Sequence, residues 1–359
     1  FLSDFRLILR RTFMPGWRSP MEQFCLWCLN PAVAFADMTA DAHSVLLTSG
    51  TLSPHTGMAS ELGTPFPVLR EAGHVVKPTQ ILATPVTSCP KGISLLSTAS
   101  RVATDEYKDA LGRLVLEVCR STPGGVLLFL PNYTLLTKCP DRWKRTGLWQ
   151  ELERTKLICT EPRRAGEEFD HVMSSFRAAI DDDIAVRAAL ATTESDNVSQ
   201  TLESQTGALM IAVFRGKVSE GMDFSDDDAR CVLAVGVPYP NFGDLAVRLK
   251  REHQDERLKQ YKRAIATDPT PDAASMIPLD GKEWYDQQAY RAYNQALGRC
   301  LRHSKDYGAI LLVDPRHATS PASRESISKW ISRSMHTDIS ARDLGPRLRS
   351  FFDSQVPIP

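Results

Sequence analysis

Residues 208–224 read Ala208-Leu-Met-Ile-Ala-Val-Phe214 and then Arg215-Gly-Lys-Val-Ser-Glu-Gly-Met-Asp-Phe224. The first part is a short, wholly apolar run, which is typical of a strand buried on both faces of a parallel sheet. The second part is a polar turn bracketed by Gly216 and Gly221. In α/β proteins, such a turn after a buried strand is where backbone N–H groups are presented to a phosphate. This stretch therefore predicts an α/β fold with a phosphate-facing edge.

Short apolar runs recur on both sides of this stretch and are also predicted to be strands. They alternate with segments of helical periodicity, including 108–120, 169–180 and 245–263. This order favours a parallel sheet with helices on both faces. A terminal amphipathic helix is predicted at 326–335. The predicted strands are 44–48, 126–130, 156–159, 208–214, 231–237 and 309–313.

A row of basic and amide side chains lies in Tyr293-Asn-Gln-Ala-Leu-Gly-Arg-Cys-Leu-Arg-His303. Gln295, Arg299 and Arg302 are spaced i, i+4 and i+7, so on a helix they project from one face. Two guanidiniums beside an amide suit the negative charge that builds on a transferred phosphoryl group. For two arginines alone, a solvated basic face is the simpler interpretation. The order and spacing of the neighbouring motifs favour the phosphoryl interpretation.

Three motifs carry a resemblance to a known family. Thr48-Ser-Gly-Thr-Leu-Ser-Pro54, Gly216–Phe224 and Gln295–Arg302 resemble, in that order, the second motor domain of the XPD-type superfamily-two DNA helicases. The resemblance implies a RecA-like α/β fold, that is, a parallel sheet with helices on both faces. It also implies ATP-dependent unwinding of DNA with five-prime to three-prime polarity.

Other stretches resemble one member of that family that acts in DNA repair. They are Phe13–Asn30, Thr146–Trp149 and Trp284–Arg299. The resemblance implies a nuclear protein that acts on single-stranded and forked DNA and has DNA repair proteins as possible partners. No membrane partner is expected.

The resemblance also implies roles for individual residues in a nucleotide site shared with a first motor domain. Arg302 would be the arginine finger, with Arg299 beside it and Gln295 orienting the pair. The residues implied at the ATP cleft are Gly216, Glu220, Gly221 and Asp223. The residues implied at the DNA are Thr48, Ser49, Thr51, Asn132, Tyr133, Lys217, Ser219 and Tyr239. Hydroxyls and backbone amides contact sugar and phosphate without reading sequence. Asn132, Tyr133 and Tyr239 are expected to be stacking or backbone partners of the DNA, and for each tyrosine burial in the core is an equal alternative.

The first motor domain of this family carries elements that the chain lacks. No Gly-x-x-x-x-Gly-Lys-Ser/Thr loop occurs, and no Asp-Glu-Ala-His-like box follows an apolar strand. We therefore expect ATP and Mg²⁺ to be bound mainly by that first domain, which in this family also holds a four-cysteine iron–sulfur cluster. Because the chain also begins with Phe1, we expect it to be the C-terminal part of a two-domain motor and inactive in ATP hydrolysis by itself.

Composition restricts how the chain can contact DNA. Lys plus Arg and Asp plus Glu both number 43, so there is no overall basic field and DNA contact must come from a local groove. The predicted helix 245–263 carries a group of cations suited to phosphate contact, although a solvated face is the simpler interpretation. No apolar run approaches the length of a membrane span.

Eight cysteines are scattered through the chain, many of them in apolar segments. This pattern indicates reduced, buried thiols in the nucleus or cytosol. Cys25 and Cys28 form a Cys-x-x-Cys pair, but no second pair follows, so packing is favoured over a metal site.

The expected organisation has three parts. Residues 1–40 are the tail of a preceding motor domain and a crossover, 41–335 the RecA-like domain, and 336–359 a C-terminal tail. Residues 181–206 are polar and acidic, and 266–282 are rich in Pro, Asp and small side chains, so both are expected to be mobile inserts.

Three functions stay open at this point. The first is the second motor domain of a DNA repair helicase. The second is a related XPD-type helicase of transcription-coupled repair or telomere maintenance. The third is a non-catalytic module that binds DNA or a partner protein.

Overall fold

The computed structural model describes residues 2–13, 16, 19–49, 55–70, 73, 75–164, 166–192, 205–267, 277–337 and 339–355. The chain forms two compact units. We call Phe1–Glu71 with Tyr239–Ala289 the hairpin unit, and Ala72–Pro238 with Tyr290–Pro359 the sheet unit.

Strands and helices alternate along most of the chain. The strands are β1 (Phe5–Thr12), β2 (Met21–Cys28), β3 (Ile81–Pro85), β4 (Val126–Leu130), β5 (Leu157–Thr160), β6 (Ala208–Val213), β7 (Cys231–Val235) and β8 (Gly308–Val313). The helices are α1 (Pro31–Thr39), α2 (His55–Leu62), α3 (Ala99–Val102), α4 (Asp105–Ser121), α5 (Tyr133–Thr146), α6 (Leu148–Thr155), α7 (Glu167–Thr192), α8 (Lys217–Gly221), α9 (Leu245–Thr267), α10 (Gly281–Leu297), α11 (Arg316–Thr319), α12 (Pro321–Glu325), α13 (Lys329–Ser332) and α14 (Leu344–Asp353). Short 3₁₀ turns occupy Leu2–Asp4, Pro78–Gln80, Asp226–Ala229 and Gly298–Cys300.

The sheet unit is built on six strands in the order β3-β8-β7-β4-β6-β5, with parallel pairing throughout. Every residue of β4, β6, β7 and β8 is buried, which explains why these strands are unbroken apolar runs. The predicted α/β, RecA-like sheet is confirmed. The predicted strands from 126–130 onward are also confirmed, with shifts of one or two residues at their ends.

One strand prediction is wrong. Residues 44–48 have no regular structure, and Leu46 is 85% exposed, because the segment finds no neighbouring strand to pair with. The edge position of the sheet belongs instead to β3, which ends in Pro85. Proline is tolerated at an edge because its missing N–H is not needed by a second neighbour.

Helix α4 forms much of the core on one face of the sheet. The Thr104 hydroxyl accepts a hydrogen bond from the Tyr107 N–H at 3.2 Å and caps the helix, whose first turn is acidic. Its apolar side, including Leu111 and Leu114, is fully buried. The indole N–H of Trp143 on α5 donates to the Lys108 carbonyl at 2.8 Å, so this large side chain is buried without losing its hydrogen bond.

The C-terminal residues are not a tail where the structure describes them. Helix α14 packs against α4, and Leu344, Leu348 and Phe352 belong to the hydrophobic core. The predicted helix at 326–335 is reduced to α13. The chain after it runs beside β3, where the His336 N–H donates to the Ala83 carbonyl at 2.7 Å.

Both predicted inserts begin in regular structure. Helix α7 continues through 181–192 because the Asp183 carboxylate is buried, accepts the Gly124 N–H at 3.2 Å and pairs with Arg187. Residues 193–204 lie outside the described ranges. In the second insert, α9 ends at Thr267 and 268–276 lie outside the described ranges. The Leu279 N–H just before α10 donates to the Ser60 hydroxyl at 3.1 Å, so that end of the insert is anchored.

The hairpin unit joins segments that are far apart in the sequence. Strands β1 and β2 pair antiparallel, from Phe5 opposite Cys28 to Thr12 opposite Met21. The ammonium of Lys250 on α9 donates to the Leu29 carbonyl after β2. The indole N–H of Trp284 donates to a Glu61 carboxylate oxygen at 2.7 Å. The structure therefore groups residues 1–71 with 239–289 rather than dividing the chain at 40.

Six cysteines are buried and two are more accessible. Burial raises the pKa of the Cys119 thiol to about 12, as expected for an inert core residue. Cys25 is half-buried and Cys28 exposed on β2, so the packing interpretation is wrong for Cys28. Within the described ranges, no group of three or more His, Cys, Asp or Glu side chains is arranged to hold a metal ion. No helix in the described part of the chain is both long and apolar enough to cross a bilayer. All eight cysteines are free thiols: Cys25, Cys28, Cys89, Cys119, Cys139, Cys159, Cys231 and Cys300.

The packing of α14 generates a testable prediction. Leu348→Ala should lower the free energy of unfolding by about 2–5 kcal/mol, because it removes a fully buried side chain from the core. The matched control is Arg347→Ala, one residue earlier and exposed, which should change it by less than about 0.5 kcal/mol. Urea unfolding followed by circular dichroism measures both. Equal midpoints for the two variants would show that α14 does not pack on the sheet unit.

Candidate functional site

The candidate site lies at the carboxyl-terminal edge of the parallel sheet. Parallel strands end on the same side, so the turns that follow them share one edge, where ligands of α/β proteins bind. The turn after β4 carries Asn132 and Tyr133, the turn after β5 carries Glu161, and the turn after β6 carries residues 215–223. The predicted residues Asn132, Tyr133 and 216–223 thus lie on one edge of the sheet unit, together with Glu161, which was not predicted.

The turn after β6 is closed by its own hydrogen bonds. Arg215 has a positive φ of 62°, and the Gly216 N–H donates to the Val213 carbonyl at 3.2 Å. The Ser219 hydroxyl donates to the Gly216 carbonyl at 3.0 Å, and Ser219 is fully buried. The prediction that the Ser219 hydroxyl contacts DNA is therefore wrong, because that hydroxyl is used inside the turn.

A buried carboxylate lies beneath this turn. The Glu161 oxygens accept the Val213 N–H at 2.9 Å and the Val218 N–H at 3.0 Å. Burial raises the pKa of the Glu161 carboxyl, and the hydrogen bonds from the backbone N–H groups offset part of that rise. The expectation that this turn offers its N–H groups to a phosphate is wrong for these donors, because Glu161 already satisfies them.

Glu161 also explains why residue 216 is a glycine. Gly216 is buried and has φ −83°, which any residue can adopt, so no special backbone conformation is required. A Cβ at this position would lie 2.5 Å and 2.6 Å from the two Glu161 carboxylate oxygens. At Gly221, by contrast, a Cβ would lie 3.5 Å from the nearest side-chain atom, an ordinary contact. Close approach, rather than backbone freedom, requires the first glycine.

Two arginines hold the end of this turn. The Arg299 Nε donates to the Ser219 carbonyl at 2.8 Å, and its Nη1 donates to the Met222 carbonyl. The Arg302 Nη2 donates to the same Met222 carbonyl at 3.3 Å, and its Nε lies 2.8 Å from an Asp223 carboxylate oxygen. The arginines predicted as one group are therefore brought together, on the segment 219–223.

The arginines do not project from one helix face as predicted. Helix α10 ends at Leu297, Arg299 lies in a 3₁₀ turn, and Arg302 follows it in extended chain. The helix ends there because the chain must turn into β8, and the Arg302 N–H donates to the buried Asp306 carboxylate at 3.0 Å. Gln295 remains on α10, half-buried. Within the described residues, no hydrogen bond joins its amide to either arginine side chain.

The two arginines differ in how firmly they are held. Burial, followed by the nearby Arg302 charge, lowers the pKa of Arg299, yet an arginine stays charged at neutral pH. Its two bonds to carbonyls fix it in place. The Asp223 side chain is 79% exposed, and exposed ion pairs contribute about 0–1 kcal/mol. The Arg302 guanidinium can therefore exchange Asp223 for another anion at low cost.

The other predicted site residues of the sheet unit differ in whether their side chains already have partners. Lys217 is exposed, with its ammonium 3.9 Å from the Phe169 ring centroid and 4.0 Å from an Asp170 oxygen. Glu220 and Gly221 are exposed. Asn132 is exposed, but its side-chain oxygen accepts the Leu135 N–H at 3.0 Å and caps α5.

Tyr133 and Tyr239 are neither fully buried nor free of neighbours. The Arg163 guanidinium lies 5.4 Å from the Tyr133 ring centroid, and partial burial raises the pKa of that tyrosine. Tyr239 is 37% exposed and belongs to the hairpin unit, as do the exposed Thr48 and Ser49. Thr51 lies outside the described ranges.

Glu161 and Arg163 are site residues that sequence analysis missed. Both follow β5 directly, and the same rule that singled out the turns after β4 and β6 applies to them. The signal for these two residues was weak, because β5 is a short and only partly buried strand whose end did not stand out in the sequence. The pairing of Glu161 with Gly216 could not be read from the sequence at all.

The contact between Gly216 and Glu161 generates a prediction with a matched control. Gly216→Ala should destabilise the chain by about 1–3 kcal/mol, because the new Cβ displaces the carboxylate from its N–H donors. Gly221→Ala should be neutral or slightly stabilising, since the space is free and alanine favours helix. Thermal unfolding of both variants is the measurement. Equal effects of the two substitutions would contradict the role given to Glu161.

Comparisons with known proteins identify the family of this chain. The family model described as "Helicase C-terminal domain" matches residues 115–334. The chain is 42% identical over 307 residues to the Fanconi anemia group J protein homolog of Gallus gallus, covering 85% of this chain and 22% of that protein. It is 34% identical over 328 residues to the Regulator of telomere elongation helicase 1 homolog of Culex quinquefasciatus, covering 91% of this chain and 30% of that protein.

A solved XPD helicase structure superposes with a TM-score of 0.49 and 16% identity, covering 88% of this chain and 48% of that one. The chain spans less than a third of the length of the two curated relatives. The family model, which matches most of the chain, and the relatives together show that this chain belongs to the helicase C-terminal domain family of the XPD-type DNA helicases.

Proposed function

We propose that this chain is the second motor domain of an ATP-dependent DNA helicase that acts in DNA repair. In this role it supplies an arginine finger to the ATP site and part of a groove for single-stranded DNA. The observation that carries the proposal is the exchangeable pairing of Arg302 with Asp223 at the end of the segment that Arg299 holds.

The residues of this chain fit one side of a nucleotide site. Among the described residues there is no acidic cluster for a metal, and the N–H groups of Val213 and Val218 are occupied by Glu161. The chain therefore offers cations rather than a phosphate cradle. We assign the binding of ATP phosphates and Mg²⁺ to a first motor domain, and the iron–sulfur cluster to that same domain. By itself the chain is proposed to be inactive.

Arg302 and Arg299 have separate tasks in this proposal. Transfer of the ATP γ-phosphoryl group builds negative charge that a guanidinium stabilises. Arg302 leaves Asp223 and donates to those oxygens, since its exposed ion pair contributes little. Arg299 is a positioning residue that keeps the Ser219 and Met222 carbonyls in place. Gln295 is assigned nucleotide sensing from its place in the motif, one turn before Arg299.

The segment 216–223 is proposed to connect ATP hydrolysis with DNA binding. Its beginning carries the exposed ammonium of Lys217, which suits a DNA phosphate, and its end is held by the two arginines. A change of partner at Arg302 therefore acts directly on the segment that bears Lys217. Glu220 and Asp223 are proposed to link the cleft to the DNA, with Gly216 and Gly221 in the same turn.

Further DNA contacts are proposed for Thr48, Ser49 and Thr51, together with Asn132, Tyr133 and Tyr239. Hydroxyl and amide groups of this kind position the backbone of a strand without reading its bases. The proposed substrates are single-stranded and forked DNA, with five-prime to three-prime movement by family resemblance.

The relatives support DNA repair as the biological role and telomere maintenance as the second candidate. The 42% identity to the Fanconi anemia group J protein homolog supports DNA repair in the nucleus, with the first motor domain and DNA repair proteins as partners. The 34% identity over 91% of the chain to a regulator of telomere elongation helicase supports telomere maintenance as the second candidate.

The arginine finger is tested in a protein that contains both motor domains. Arg302→Ala should leave ATP binding intact and lower ATP turnover roughly 10³-fold or more, because only the transition-state charge loses its partner. Arg342→Ala, an exposed arginine elsewhere in the sheet unit, is the control and should behave as wild type. Steady-state turnover and nucleotide affinity are measured. Wild-type turnover in Arg302→Ala would remove this residue from the catalytic role.

The DNA edge is tested with a pair of lysines. Lys217→Ala should weaken binding of single-stranded DNA uniformly across sequences and reduce the slope of log affinity against log salt by about 1. Lys305→Ala is the control, because Lys305 is exposed just before β8, at the opposite edge of the sheet. Fluorescence anisotropy across a salt series gives both slopes. If the two variants lose the same affinity, DNA is not bound at the proposed edge.

A further inference from the structure

An exposed group of aromatic rings and one guanidinium lies in the hairpin unit. We call Tyr239, Phe242, Arg251 and Tyr285 the aromatic platform. The Tyr239 and Tyr285 rings are stacked, with centroids 5.3 Å apart and planes at 17°. Phe242 meets Tyr285 edge to face at 5.9 Å. The Arg251 guanidinium lies 4.4 Å from the Phe242 centroid and 5.2 Å from that of Tyr285.

The platform is held in place by two helices. The Tyr285 hydroxyl on α10 donates to the Pro240 carbonyl at 2.7 Å. The Arg251 Nε on α9 donates to the Gly281 carbonyl at 3.3 Å. A Cβ at Gly281 would lie 2.6 Å from the Arg251 carbonyl oxygen, so the start of α10 approaches α9 closely. Tyr239 and Phe242 lie in the loop before α9, and Tyr285 on α10 and Arg251 on α9 hold that loop against the two helices.

The platform is not an ordinary packing cluster, because its outer rings face solvent. Phe242 is 58% exposed and Tyr239 is 37% exposed. An exposed aromatic ring backed by a guanidinium offers a flat face and a positive charge together. That combination matches a ligand with flat rings and a negative backbone, which is a single-stranded nucleic acid.

The surrounding charges agree with such a ligand. Arg248, one turn before Arg251 on α9, is exposed, whereas the Lys250 ammonium is half-buried and donates to the Leu29 carbonyl. Asp244, the acidic residue nearest in sequence to Phe242, uses its carboxylate to cap α9 by accepting the Ala246 N–H at 2.8 Å and the Val247 N–H at 3.2 Å. The Asp244 carboxylate therefore lies at the start of α9.

We propose that the aromatic platform is a stacking site for bases of single-stranded DNA. A base stacks on Phe242, Arg251 supports that ring from within the platform, and Tyr239 with Tyr285 extends the flat surface. This inference rests on the proposed function and adds base stacking by Phe242 and Arg251 to the backbone contacts assigned there.

The test compares two ligands on the same chain. One is a fluorescein-labelled oligothymidine, and the other is an abasic oligonucleotide of equal length, which has the phosphates but lacks the bases. The wild-type chain should bind oligothymidine more tightly. Phe242→Ala should weaken oligothymidine binding about ten-fold and leave abasic binding unchanged, because only stacking is lost. Phe242→Trp should restore the preference.

Control variants make each outcome decisive. Phe24→Ala removes another exposed phenylalanine, 76% exposed on β2 of the same unit, and should leave both affinities unchanged. Arg251→Lys keeps the charge but removes the planar group, and should lose part of the preference for bases. Unfolding curves of all variants check that each one is folded.

Two results would overturn the inference alone, and one would overturn more. If Phe242→Ala binds oligothymidine as wild type does, or weakens both ligands equally, bases do not stack on the platform while the proposed DNA groove stands. If the wild-type chain binds neither oligonucleotide, the proposed groove fails together with the stacking site.

Discussion

Two guanidiniums on one short stretch of backbone hold the candidate site together. Arg299 and Arg302 both donate to the Met222 carbonyl, and Arg299 also donates to the Ser219 carbonyl. Carbonyls at the end of a one-turn helix have no partners within that helix, so side-chain donors must satisfy them or water must. Because the donors here are charged, each bond is stronger than one between neutral groups. The segment that carries Lys217 at its start is thus fastened at its end by residues eighty positions away.

The other end of that segment depends on a carboxylate. Glu161 follows β5 and accepts N–H groups from Val213 and Val218, while Gly216 leaves room for it. A buried carboxylate is costly unless hydrogen bonds satisfy it, and β6 and α8 provide the donors. The Glu161 carboxylate therefore holds the start of the turn, and the guanidiniums of Arg299 and Arg302 hold its end.

The hairpin unit has a different character from the sheet unit. Its strands β1 and β2 leave Leu7, Leu9, Phe24 and Leu26 at least half exposed, whereas the sheet unit buries every residue of β4, β6, β7 and β8. Its interior relies on polar contacts such as Trp284 to Glu61 and Lys250 to Leu29. The aromatic platform belongs to the same unit, where Arg251 on α9 and Tyr285 on α10 contact the partly exposed ring of Phe242.

The sequence alone determined most of the parallel sheet. Unbroken apolar runs of five or six residues bounded by turn signals are typical of strands buried on both faces, so β4, β6, β7 and β8 were readable, as was the spacing of Arg299 and Arg302. Tertiary structure alone decided the end of α10 before those arginines, the carboxylate under Gly216, the packing of α14 and the grouping of residues 1–71 with 239–289. Local patterns record which face of a segment is apolar. They do not record which distant segment meets it, because that depends on how the whole chain closes around its core.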